Sequence, residues 1–108
     1  MTVPIGLDLS PEQWQIIYRI LAQHLPDRKV CVFGSRVRGT ARPFSDLDLA
    51  IMGDEALPLS ALATLNEAFT ESPLPFKVDL LDWADASPRF RDSIRADLLP
   101  ITDEIPGD

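Results

Sequence analysis

The chain has 108 residues, 45% of them hydrophobic and 25% charged, with a formal net charge of −7 at pH 7. That size suits one domain with one modest core, and the acidic balance argues against broad binding to nucleic acid or anionic membrane. No apolar run approaches bilayer-spanning length and no basic-then-apolar leader opens the chain. The single cysteine, Cys31, leaves no intrachain disulfide and no thiolate metal site, so the expected location is the cytoplasm by elimination.

Residues 1–9 read as an irregular lead-in. Ser10-Pro11-Glu12-Gln13 is a helix start, with Ser10 as N-cap, Pro11 at the first helical position and Gln13 completing a capping box. Trp14, Ile17, Tyr18, Leu21 and Leu25 follow at helical spacing, widened by Ile16 and Ile20, and the helix should end before Pro26. His24, the sole histidine, sits near its C-terminus, where a favourable dipole interaction is a better reading than a ligand or base. Val30-Cys31-Val32-Phe33 predicts a strand buried on both faces, with Cys31 as a small buried hydrophobe.

Gly34-Ser35 ends that strand. Arg36 to Ala41 allows a helical turn or two interrupted by Gly39, and Arg42 to Ser45 is a loop. Leu47 to Met52 predicts a second strand, closed by Gly53-Asp54. A second amphipathic helix opens at Leu57-Pro58-Leu59-Ser60 and runs to about Thr70, with Leu62, Leu65 and Phe69 on one face. Ser72-Pro73-Leu74-Pro75 breaks it. Phe76 to Leu81 predicts a third strand. Ser87-Pro88 repeats the cap-and-proline start, and Phe90, Ile94 and Leu98 mark a last helix stopped by Pro100. An acidic, irregular tail is expected over 102–108. This order predicts an α/β (α+β) fold, a small mixed sheet of three to four strands packed with helices.

The candidate chemistry gathers in one stretch. Residues 28–42 hold five of the ten basic side chains, Arg28, Lys29, Arg36, Arg38 and Arg42, and no acid. A local cationic patch on an acidic chain suits a compact anion such as a nucleotide. Gly34 permits close backbone approach to phosphate, Ser35 adds a hydroxyl donor, and the amides that follow could stabilise an anion. Arg36 and Arg38 are candidates for neutralising polyphosphate charge, whereas Arg42 reads as surface solvation.

Asp46 and Asp48, two apart at a strand start, place both carboxylates on one face and Leu47 and Leu49 on the other. Two carboxylates that close repel, and a hard divalent cation would offset the repulsion. Alone, the pair is better read as an Asx turn at Ser45-Asp46 followed by a strand with Asp48 exposed, since the pattern is common. Asp79 lies mid-strand between apolar neighbours, which is costly unless it is exposed at an edge or paired. With the third strand beside the second, it completes a three-carboxylate cluster of the kind that holds two Mg²⁺ ions about 4 Å apart for in-line nucleotidyl transfer. Asp82 competes for that role, but its place at the strand end predicts a solvated side chain.

Gly34-Ser35, ten intervening residues and Asp46-x-Asp48 closely resemble the signature of the DNA polymerase β-like nucleotidyltransferase superfamily. The Gly-Ser-Arg-x-Arg-Gly opening, the Ser45-Asp46-x-Asp48-Leu49 strand and the small size look most like its minimal nucleotidyltransferases, the MNT antitoxins paired with HEPN-domain toxins. The resemblance covers roughly residues 29–99. It implies that Gly34 and Ser35 bind the nucleotide β- and γ-phosphates, and that Asp46 and Asp48 ligate Mg²⁺. It further implies that Asp79 binds the catalytic metal and helps activate the attacking hydroxyl. Ser87-Pro88-Arg89-Phe90-Arg91 resembles the family's last helix, while Leu98-Leu99-Pro100-Ile101 departs from the glycine-containing turn expected after it.

The expectation is therefore a single nucleotidyltransferase domain over 1–108. It would transfer AMP from ATP to a hydroxyl, as family members do to a tyrosine of a HEPN ribonuclease, which silences it. The chain leaves little room for an acceptor-binding domain, so the acceptor should come from another chain. Two other readings stand beside it: an antitoxin acting by complex formation without essential catalysis, and transfer to a small molecule such as an aminoglycoside.

Overall fold

The computed structural model describes residues 2–102. Helix α1, Pro11–His24, begins as its residues dictate: Ser10 Oγ accepts from the Gln13 amide, and Gln13 Oε1 accepts from the Ser10 amide. Strand β1 is Val30–Phe33, followed by the single-turn helix α2, Ser35–Arg38, which Gly39 ends in a left-handed conformation. Strand β2 is Leu47–Ile51, helix α3 is Leu59–Thr70 and strand β3 is Val78–Asp82. A 3-10 turn over Trp83–Asp85 leads into helix α4, Pro88–Ile94, with Ser87 as its N-cap. A second 3-10 turn, Arg95–Asp97, precedes strand β4, Leu99–Pro100.

The four strands lie in the order β3-β2-β1-β4, with β1 antiparallel to β2 and β4, and β2 parallel to β3. Val30, Val32, Leu47, Leu49 and Ile51 point to one face, where Trp14, Ile17 and Leu21 of α1 and Leu65 and Phe69 of α3 cover them. This is the apolar face that the strand and helix patterns predict. None of the described helices is long and apolar enough to cross a membrane.

Three local expectations change. The last helix does not reach Leu98: α4 stops at Ile94 and the chain turns into β4. Strand β1 would otherwise present an unpaired edge, and β4 covers it. The Ile101 amide donates to the Val30 carbonyl at 2.9 Å, and the Val30 amide donates to Thr102 Oγ1 at 3.0 Å. Pro100 is tolerated because this strand lies at the sheet edge. Thr102, the first residue of the expected tail, is thus bonded to the sheet, and 103–108 lie outside the described residues. The lead-in is irregular in backbone but packed, with Leu7 buried in the core and the Asp8 amide donating to the Arg36 carbonyl at 2.9 Å.

Asp82 is the third correction. It is buried, at 6% exposure, not solvated. Its Oδ2 accepts from the Leu57 amide at 2.8 Å and its Oδ1 from the Ala84 amide at 3.3 Å, so it caps the 3-10 turn and ties down the loop before α3. Asp82→Ala should therefore cost about 1–3 kcal/mol of stability, because two partly buried amides lose their acceptor. Urea denaturation measures this.

Candidate active site

The sheet gathers the candidate residues at one end. Phe33 of β1 stands opposite Asp48 of β2, and Asp48 stands beside Asp79 of β3. In-register neighbours project to the same side, so Phe33, Asp48 and Asp79 form a row across three strands on the face away from the main core. Asp46 lies two residues before Asp48, just outside the strand and exposed, while Leu47 and Leu49 are fully buried behind the row.

Gly34 brings the turn against this row. It holds φ at +85°, where side chains other than hydrogen are strained. A Cβ added there would run into the Asp48 carboxylate, lying 3.4 Å from its Cγ with Oδ2 nearer still. The glycine is required by both backbone conformation and room, and the turn abuts the carboxylate directly. Helix α2, starting at Ser35, has only four residues. Any anion here meets the individual amides of the turn more than a helix dipole.

The three acids crowd each other. Burial pushes the Asp48 carboxyl above its ordinary range, Asp79 and then Asp46 push it further, and Arg38 opposes them. Among the described residues, no three His, Cys, Asp or Glu side chains are gathered closely enough to hold a metal ion as they stand. The expected cluster is a row, not a closed ligand set. Asp79 turns its carboxylate onto Lys77 at 3.2 Å, in a contact exposed enough to be exchanged at little cost. The donors are all oxygen and their mutual repulsion is what a hard divalent cation relieves, so the set fits Mg²⁺.

The arginines divide. Arg38 is exposed, with its Nε 2.7 Å from Asp97 Oδ2, and is near enough to Asp48 to favour its charged form. Arg36, expected to neutralise phosphate, points elsewhere. It is 4% exposed and donates to the main-chain carbonyls of Asp8, Arg42, Pro43 and Ser45. Its guanidinium also lies 4.1 Å over the Phe76 ring. Its donors are committed to the loop that carries Asp46, which makes it a brace. Arg42 is exposed and offers its carbonyl to that brace.

Sequence reasoning did not single out Lys77 or Asp97. Lys77 was findable, since a residue two before Asp79 on a strand shares its face. Asp97 was not, because it is 59 residues from Arg38 and reaches it only through the turn after α4.

Three comparisons bear on this arrangement. A family model described as polymerase beta, nucleotidyltransferase matches residues 15–104. A Haemophilus influenzae protein, "Probable protein adenylyltransferase MntA", is 52% identical over 95 residues, covering 88% of this chain and 83% of that protein. Among solved structures, a toxin-antitoxin crystallised with AMP-PNP matches with a TM-score of 0.67 and 26% identity, over 81% of this chain and 70% of that one. A chain from the complex of a tri-AMPylated Shewanella oneidensis HEPN toxin with MNT antitoxin shares the fold, with a TM-score of 0.61 and 22% identity, over 82% and 68%.

Proposed function

The chain belongs to the polymerase beta nucleotidyltransferase family, alongside a protein adenylyltransferase, and we propose that it transfers AMP from ATP to a hydroxyl of a partner HEPN-type toxin, silencing it as an antitoxin. The observation that carries this reading is the Gly34 turn pressed against Asp48 in a row with Asp79. A phosphate-binding turn and a carboxylate group that close together can hold the two ends of a triphosphate at once. ATP as substrate accords with the AMP-PNP of the related toxin-antitoxin structure. The cytoplasm, where ATP and such a partner meet, remains the proposed location.

Asp46, Asp48 and Asp79 would hold Mg²⁺, two ions on this reading, which when bound supply Lewis-acid stabilisation of the phosphoryl oxygens. The acceptor oxygen attacks the α-phosphorus as the bond to the bridging oxygen of the leaving pyrophosphate breaks. On this reading Asp79, the outermost acid of the row, takes the hydroxyl proton. The Gly34-Ser35 turn holds the β- and γ-phosphates, and Arg38 exchanges Asp97 for their charge as pyrophosphate forms.

The test incubates the protein with Mg²⁺, ATP labelled at the α-phosphate and the product of the neighbouring gene. Label on a hydroxyl of that protein supports the reading. Neutralisation without label, unchanged in Asp46→Ala with Asp48→Ala, would establish inhibition by complex formation instead, and label on an added aminoglycoside would establish a small-molecule acceptor. Gly34→Ala should lower transfer about a hundredfold or more, because the added methyl displaces the Asp48 carboxylate. Single-turnover rates at saturating ATP measure this.

A further inference from the structure

Phe90 is a large aromatic residue left 42% exposed on α4. Its ring meets that of Phe33 edge to face, with centroids 6.3 Å apart and planes at 80°. Phe33 is both the residue before Gly34 and the cross-strand partner of Asp48. The aromatic pair therefore continues the carboxylate row on the same face of the sheet and flanks the phosphate turn. The Arg38–Asp97 ion pair ties α2 to the turn after α4, so this helix is fastened to the same end of the molecule.

We propose that Phe90, oriented by its edge-to-face contact with Phe33, is the platform on which the nucleobase of the bound nucleoside triphosphate stacks, an inference that rests on the nucleotidyltransferase reading above. An edge-to-face partner fixes the orientation of a ring and covers at most one of its two faces. A nucleotide anchored by its phosphates at Gly34 has its base as the remaining flat apolar surface, and an exposed ring beside the site provides the matching one. Stacking supplies affinity without reading hydrogen-bonding edges, because every base has a π-face. The platform thus favours a nucleotide over a bare polyphosphate and discriminates little among bases.

The test measures equilibrium binding, with Mg²⁺ and no acceptor, of ATP, GTP and ribose 5′-triphosphate, which lacks a base. Phe90→Ala should weaken ATP and GTP about tenfold while leaving ribose 5′-triphosphate within about twofold, and Phe90→Trp should restore both nucleotides. Thermal melts confirm that the variants fold. Equal weakening of all three ligands, or of none, overturns the proposal. So does unchanged ATP affinity with a raised KM for the protein acceptor, which would place the acceptor against the ring. If the wild type itself binds no ATP, the nucleotidyltransferase reading fails first; if it binds and Phe90→Ala binds equally well, only the platform fails.

Discussion

Replacing Asp48 with asparagine should abolish AMP transfer and at the same time stabilise the free protein at neutral pH. The two effects have one cause. Asp48 is half-buried beside Asp79 and near Asp46, and its carboxyl is raised above the ordinary value first by desolvation and then by those two charges. A carboxyl raised in the folded state favours folding when protonated. That contribution is present below the carboxyl's unfolded value and is lost as pH rises through the raised folded value. At pH 7 the native state therefore carries a charge it would rather not hold, and asparagine removes it at nearly the same shape.

On the proposed function, transfer suffers because the middle of the three carboxylates that would hold the metal is gone. Loss of a residue that fixes the metal should remove several kcal/mol of transition-state stabilisation, about a thousandfold or more in rate. Melting curves across pH, set beside single-turnover rates, check both halves. The variant should melt above the wild type at pH 7 and converge with it on acidification. Added Mg²⁺ with ATP should raise the wild-type melting temperature and leave that of the variant nearly unchanged. A variant that melts lower at every pH, or that retains transfer, would remove Asp48 from the centre of the site.

How far the sequence revealed this depends on the range of each interaction. Ser10 with Gln13, Ser87 with Pro88, and the buried runs of β1 and β2 are settled within a few residues, and the structure reproduces them. The Gly34 turn and the Asp46-x-Asp48 pair were visible for the same reason. Placing Asp79 beside Asp48 required only that β3 lie next to β2. What escaped was decided at long range. Leu98 continues the spacing of Phe90 and Ile94, yet the open edge of β1 draws Leu99 and Pro100 into a strand. Asp82 stands at a strand end, where acids are normally solvated, but the Leu57 amide 25 residues away claims it. Arg36 in a basic stretch beside a Gly-Ser turn reads as a phosphate ligand until its surroundings are known.

Those surroundings make Arg36 the largest expected loss of stability in the chain. One guanidinium serves four main-chain carbonyls: Asp8 at 3.0 Å, Arg42 at 3.3 Å, Pro43 at 3.1 Å and Ser45 at 2.9 Å from its nearest nitrogen. It joins the lead-in, helix α2 and the Asp46 loop, and it stacks on buried Phe76. Arg36→Ala should cost about 3–5 kcal/mol, a large share of what a domain of this size holds, because several partly buried carbonyls lose their donor together. Arg36→Lys should recover little, since a compact ammonium cannot span a fan of acceptors that a planar fork reaches. Arg38→Lys is the contrast. Its exposed pair with Asp97 should contribute less than about 1 kcal/mol to stability, while its loss should raise the KM for ATP. Urea denaturation of the three variants, together with ATP binding by the folded fraction, separates brace from ligand. If Arg36→Lys unfolds like the wild type and instead binds ATP weakly, the guanidinium belongs to the phosphate and not to the loop.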